Sequence, residues 1–189
     1  MLSSVPAGKQ QTKTKRLILM SIFTALIAIG AFIKVPVPVV PFTLQFLFTT
    51  LAGLLLGSSL GSACVLAYIL LGLLGLPIFA AGGGPGYIFN PSFGYLIGFW
   101  LGAKITGHIA GMGHHPSWRK LLLANFSGLG IVYLCGMLYY YLIGNYVINQ
   151  PIALWPLFLY CFLLAVPGDI VLCIIAAMLG RKLIPIIQK

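Results

Sequence analysis

Acidic side chains are almost missing from this chain: Asp169 is the only carboxylate residue among 189. Charged residues of either sign make up 6% and hydrophobic ones 60%, and the mean hydropathy is +1.08. Soluble domains carry roughly a quarter charged residues, so an ordinary soluble fold is excluded. The missing acids also exclude chemistries. There is no second carboxylate for paired acid/base work and no serine with a nearby histidine base. No G-x-x-x-x-G-K-[ST] phosphate loop is present, since Gly102-Ala-Lys104 lacks the spacing, and the chain is not expected to hydrolyse ATP by itself. Cys64, Cys135, Cys161 and Cys173 are scattered, with no C-x-x-C and no metal-ligand spacing. They read as buried structural thiols. His114 and His115 adjoin in a polar loop without a third ligand, and His108 reads as a polar residue near a helix end. Neither an enzyme, a metal site nor a cofactor is expected.

What the chain has instead is long apolar runs. A helix needs about 20 apolar residues to cross the hydrocarbon core. Six stretches approach this: Leu17–Ile33, Phe42–Gly57, Ser59–Leu76, Phe93–Ala110, Leu121–Ile143 and Trp155–Ile184. Only a Gly-Ser turn separates the second from the third. Barrel strands would alternate with period two, and these runs do not. The expectation is an all-α membrane protein, with six transmembrane helices in a compact bundle carrying outer capping loops. Residues 1–16 form a basic N-terminal segment that a secretory signal superficially resembles. The following run is longer than a signal core and has no clear cleavage site, so it is taken as the first span. Residues 17–189 form one domain.

The net charge of +10 follows topology. Lys9, Lys13, Lys15 and Arg16 precede the first span. Lys104, Arg119 and Lys120 flank the connection between spans four and five, and Arg181, Lys182 and Lys189 close the chain. With both termini cytoplasmic, Lys34 alone among the basic residues faces outward, as the positive-inside bias requires. A nucleic-acid surface would need a clustered patch interleaved with aromatics, so no nucleic-acid partner is expected.

Two outer connectors are unusual. Lys34-Val-Pro-Val-Pro-Val-Val-Pro41 carries three prolines that stop the helix. The connector from Leu76 to Pro91 is rich in glycine yet apolar and aromatic, which suits a loop folded over a cavity better than a solvated linker. Glycines at four-residue spacing, Gly53/Gly57/Gly61 and Gly94/Gly98/Gly102, read as helix-packing rows. In the first span, Ser21 and Ala25 form a small pair, with Thr24 and Ala28 on the adjacent stripe. That stripe either packs internally or docks another membrane subunit.

Placing Asp169 at membrane depth costs about 2.5–3.5 kcal/mol on insertion scales and usually marks a functional site. Counting from Arg181 at the inner interface puts it about 18 Å along the helix, slightly beyond the midplane toward the outside. Pro167 removes a backbone donor beside it. The other polar groups near membrane depth include Gln45, Asn125 and Tyr133, with Asn90 in the outer half and Tyr87 in the glycine-rich connector. No internal duplication of the kind seen in ion-driven porters is found. An aromatic-lined pocket with few hydrogen-bonding groups and one acid fits a small, polar, mostly uncharged ring system.

The segments Val-Pro-Phe-Thr-Leu-Gln45, Leu-Ala-Gly-Leu-Leu-Leu-Gly57, Leu-Leu-Gly-Leu-Pro-Ile-Phe79, Gly-Gly-Gly-Pro-Gly-Tyr87, Pro-Ser-Phe-Gly-Tyr-Leu-Ile-Gly-Phe99 and Pro-Gly-Asp169 together resemble the BioY family. Its members are the biotin-specific S components of energy-coupling-factor (ECF) transporters. The resemblance runs from Leu17 onward. It implies a prokaryotic cytoplasmic-membrane protein that binds biotin from outside and works with a transmembrane coupling subunit and two cytoplasmic ATPases. The candidate binding residues for that ring system are Asp169, Asn90, Gln45, Tyr87, Asn125 and Tyr133, and no cofactor is expected. The resemblance also tips the first-span stripe toward docking, since the family's A-x-x-x-A motif falls on Ser21 and Ala25. Similar chains often carry Lys three residues after the acid, where Leu172 stands here. Lys34 is then a candidate for the biotin carboxylate, or else an interfacial anchor. The rival readings are an S component for another vitamin and a membrane-embedded enzyme or scaffold.

Overall fold

The structure, a computed structural model, describes residues 7–35, 42–111 and 116–187, with side chains from Lys13 on. Pro36, Pro38, Pro41, His114 and His115 lie outside the described residues. Among the described residues the α-helices are, in chain order, α1 (Ala7–Phe32), α2 (Gln45–Leu73), α3 (Phe93–Ala110), α4 (Trp118–Tyr146), the short α5 (Leu154–Phe158) and α6 (Val166–Ile187). Two short strands, β1 (Lys34–Val35) and β2 (Phe42–Thr43), pair antiparallel before α2, and a 3₁₀ turn (Pro85–Phe89) precedes α3. Helix α1 begins at Ala7, so it takes in most of the basic segment.

Four stretches among the described residues are long and apolar enough to cross a membrane: Lys13–Phe32, Gln45–Leu73, Trp118–Tyr146 and Leu154–Ile187. The fold is therefore helical and multi-pass. The expected second and third spans fall within α2, which is continuous except at Gly57. There the backbone takes φ 78° and ψ 178°, a region open to glycine. The chain reverses at this point. A Cβ on Gly61 would stand 2.5 Å from the Ala52 carbonyl oxygen, whereas nine residues of straight helix span about 13 Å. Helix α1 touches both arms: Thr24 donates to the Cys64 carbonyl at 3.3 Å, and Gly30 packs on the backbone of Gln45.

The Gly94/Gly98/Gly102 row packs helices as its spacing predicts, whereas Gly57 interrupts the other row at the reversal of α2. Gly94, Gly98 and Gly102 of α3 press on Cys135, Tyr139, Val132 and Gly128 of α4, while Gly53 and Gly107 bring α2 and α3 into backbone contact. Lipid offers no hydrophobic drive for helix association, so close packing and interhelical hydrogen bonds must supply it. Thr106 of α3 donates to the Ala124 carbonyl of α4 at 3.2 Å, inside a core where both residues are fully buried.

The glycine-rich connector is anchored by one buried ring. Its Phe79 is 1% exposed, its ring fills the space above Gly72, and it packs edge-on against Tyr68 at 5.4 Å. Burying that ring draws the connector against the second arm of α2. Lys34 reaches across to it, donating to the Ala80 carbonyl at 2.9 Å. At the opposite face Lys15 donates to the Ile187 carbonyl at 3.2 Å, so the first and last helices begin and end on one side.

Gly98→Val should separate α3 from α4, because a Cβ there already meets Val132 backbone atoms at 2.7 Å and 2.8 Å. A stability loss at or above the usual overpacking range of about 1–3 kcal/mol is expected, read as a lower unfolding midpoint in detergent. An unchanged midpoint would contradict this packing.

Candidate functional site

The last span does not run as one uniform helix. Helix α5 widens into a π turn over Leu159–Leu163 before α6 begins. Leu164 N–H reaches back to the Leu159 carbonyl, and Ala165 N–H donates to the Phe162 carbonyl. The donor that a regular helix would bring to the Cys161 carbonyl is thus used elsewhere. The Tyr95 hydroxyl of α3 takes its place at 3.0 Å. Widened turns of this kind often stand at functional sites, and here the turn forms one wall of a cavity.

That cavity, of about 60 Å³, lies between β2, the start of α2, α3, α4 and the α5–α6 segment. Phe42, Thr43 and Phe46 close one side, and Tyr95 and Phe99 of α3 form the next. Tyr160, Cys161 and Ala165 come from the π turn and its flanks, and Val132 and Tyr133 from α4. Asp169, in the first turn of α6, supplies its only acid. The wall is otherwise mostly apolar and aromatic.

Asp169 is 8% exposed and accepts a hydrogen bond of 2.5 Å from the Tyr133 hydroxyl. A carboxylate can accept about four hydrogen bonds. Tyr133 occupies one position on Oδ2 and leaves the others for a ligand's N–H groups. Tyr133 itself is held edge-on by Tyr95 at 6.2 Å and Phe162 at 5.0 Å. Carboxylate and hydroxyl therefore have little freedom to turn away.

Of the residues expected at a site, the structure brings Asp169 and Tyr133 together in the cavity wall. None of the others is among the residues that line it. Asn125, fully buried two turns along α4 from Tyr133, donates from Nδ2 to the Cys173 carbonyl at 2.9 Å, joining α4 to α6. Gln45 is 3% exposed, and its Nε2 has no partner among the described residues. Asn90 accepts from the Ser92 backbone and hydroxyl at the entry to α3, and the Tyr87 hydroxyl meets Ser92 Oγ. Lys34 stands opposite Thr43 in the strand ladder. Leu172 is buried. Ser21 and Ala25 are exposed on α1 and line an apolar groove with Thr24, Ala28, Ala67 and Leu71.

Sequence reasoning missed Phe42, Phe46, Tyr95, Phe99, Tyr160 and Cys161. A signal existed for two of them: Tyr95 and Phe99 sit at helical spacing directly beside the Gly94/Gly98 row, and so near the α4 interface. Nothing local marks Tyr160 or Cys161, because their placement depends on the π turn.

A model of the BioY family matches residues 7–189. The chain belongs to the BioY family. It is 40% identical over 180 residues to the probable biotin transporter BioY of Lysinibacillus sphaericus, covering 95% of this chain and 92% of that one. It is 44% identical over 124 residues to the biotin transporter BioY of Thermotoga maritima, covering 65% and 72%. The fold also matches the crystal structure of the S-component for biotin from an ECF-type ABC transporter, with a TM-score of 0.75, 26% identity and 92% of each chain covered. These relatives are transport proteins, and the BioY match spans every element that builds the cavity.

Asn125→Ala should lower the unfolding midpoint by an amount equivalent to about 1 kcal/mol, the usual scale for an interhelical hydrogen bond in membranes. Thermal unfolding in detergent, compared with wild type, checks it. No change would mean that the Asn125–Cys173 bond does not hold α4 to α6.

Proposed function

We propose that this chain is the biotin-capturing S component of an ECF-type transporter, with Asp169 as the acceptor for the ureido ring. The observation that carries this reading is the Tyr133–Asp169 pair, the only acid of the chain, set in an aromatic cavity. Biotin's ureido group presents N–H donors that a carboxylate binds through charge-assisted hydrogen bonds. Its thioether ring suits the Phe and Tyr walls. The names of the BioY relatives and of the matching solved structure support the same ligand.

Gln45, Asn125, Asn90 and Tyr87 frame this site in the proposal. Lys34 serves as partner for the biotin carboxylate, a role supported by its register opposite Thr43 and by the absence of any cation among the described residues lining the cavity. Six crossings are proposed: α1, the two arms of α2, α3, α4 and the α5–α6 segment. They form a single domain from Leu17 onward, with both termini in the cytoplasm of a prokaryote. The bias of basic residues toward the face where Lys15 meets Ile187 supports that orientation.

Transport requires an energy source, and the chain carries no phosphate loop. The proposed partners are a transmembrane coupling subunit and two cytoplasmic ATPases. The groove around Ser21 and Ala25 is the proposed docking surface. Its small side chains let a partner helix approach closely, and Ser21 turns its hydroxyl back to the Leu17 carbonyl at 3.0 Å, leaving no polar group pointing outward.

Titration calorimetry with biotin, riboflavin and thiamine on the purified protein tests the ligand. Biotin should bind at micromolar concentration or tighter, and the other two should not. Asp169→Asn should weaken biotin by about 10- to 100-fold, the range for a hydrogen bond to a charged group, about 1.5–3 kcal/mol. Unchanged affinity would remove Asp169 from the site. Ala25→Leu should leave biotin binding intact while reducing co-purification with the coupling subunit and uptake of labelled biotin. Normal assembly would rule out the groove.

A further inference from the structure

Asp169 follows a glycine whose missing side chain is replaced by a neighbouring ring. A Cβ on Gly168 would stand 2.8 Å from both Cε2 and Cζ of Phe42, and 3.4 Å from its Cδ2. All three nearest atoms belong to that one side chain. The backbone gives no reason for glycine here, because Gly168 is not among the positive-φ glycines and alanine is favoured over glycine within helices. The space is a seat cut for Phe42.

The seat joins distant parts of the chain. Phe42 belongs to β2, ahead of α2, and Gly168 to the first turn of α6. Phe42 and Asp169 both line the cavity. The ring thus forms an apolar wall one residue from the carboxylate, while Tyr95 and Phe99 supply aromatic surface from α3. Tyr95 is fixed by its bond to the Cys161 carbonyl, whereas Phe42 is only half-buried and lies against Gly168.

We infer that Phe42 is a specificity-determining residue that reads the sulfur-containing ring of biotin, and that Gly168 is the positioning residue that seats it. The inference rests on the biotin reading above. A ligand whose ureido edge engages Asp169 presents its fused ring to the wall beside that acid. A thioether against an aromatic ring is a favourable contact. Polar recognition through Asp169 and shape recognition through Phe42 are then separate contributions, and ligands that differ only in the sulfur ring separate them.

Biotin and desthiobiotin are that pair, since desthiobiotin keeps the ureido ring and the carboxylate but lacks the sulfur bridge. Calorimetry on the full chain compares wild type, Gly168→Ala, Phe42→Leu and the double variant with both ligands. Wild type should prefer biotin. Gly168→Ala should weaken biotin about tenfold, the low end of what an apolar contact contributes to discrimination, and change desthiobiotin by less than about twofold to threefold on the same scale. Phe42→Leu should erase the preference similarly. The double variant should bind biotin no more weakly than Phe42→Leu, because the ring that alanine displaces is already gone. Equal weakening of both ligands by Gly168→Ala, an unchanged preference, or additive losses in the double variant would overturn the seat while leaving biotin capture standing. A wild-type chain that binds neither compound would overturn the biotin reading, and this inference with it.

Discussion

The hydrogen bond from Tyr133 to Asp169 is the constraint around which the upper half of the bundle is arranged. A carboxylate within an apolar segment is costly, and it persists only where partners replace the water it has lost. Tyr133 supplies one such partner across the α4–α6 interface. To keep that phenol in place, Tyr95 and Phe162 pack on its ring, and Tyr95 is itself tied to the Cys161 carbonyl. The π turn that frees this carbonyl is therefore part of the same arrangement as the acid.

Two different adhesives hold the helices. On the α3 side, glycine rows bring backbones to distances that no side chain would tolerate. On the α6 side, side-chain hydrogen bonds from Asn125 and Tyr133 do the joining. The division has a physical reason. Interfaces closed by glycine leave no room for a ligand, whereas those built from tyrosine and phenylalanine keep the space that forms the cavity. The exposed face of α1, with Ser21 and Ala25, presents small residues to the outside instead, where a partner rather than a neighbouring helix of the same chain is proposed.

Much of this was readable along the chain. The hydropathy and the missing acids identified a helical membrane protein, and the Pro-Gly-Asp169 and glycine motifs identified the BioY family. Asp169 stands out because nothing else in the chain shares its charge, and Tyr133 because it adds a hydroxyl to an apolar span. Gln45, Asn125, Asn90 and Tyr87 were noticed for the same polarity, but polarity does not distinguish a cavity wall from a helix clamp or a turn. Asn125 pins α6, and Asn90 organises the entry to α3. The glycine-rich connector buries Phe79 against Tyr68. Its apolar character had a local use that composition could not separate from ligand binding.

Composition and motif order determined by themselves the solvent this protein lives in, its family and the identity of its one buried acid, because those depend on which residues are present. Tertiary structure alone decided which aromatics surround that acid. Phe42, Tyr95 and Tyr160 come from three separate elements, and they converge only because α2 reverses at Gly57, α3 packs flat against α4, and the last span widens at Cys161. None of these events leaves a periodic signal at the residues that it brings together.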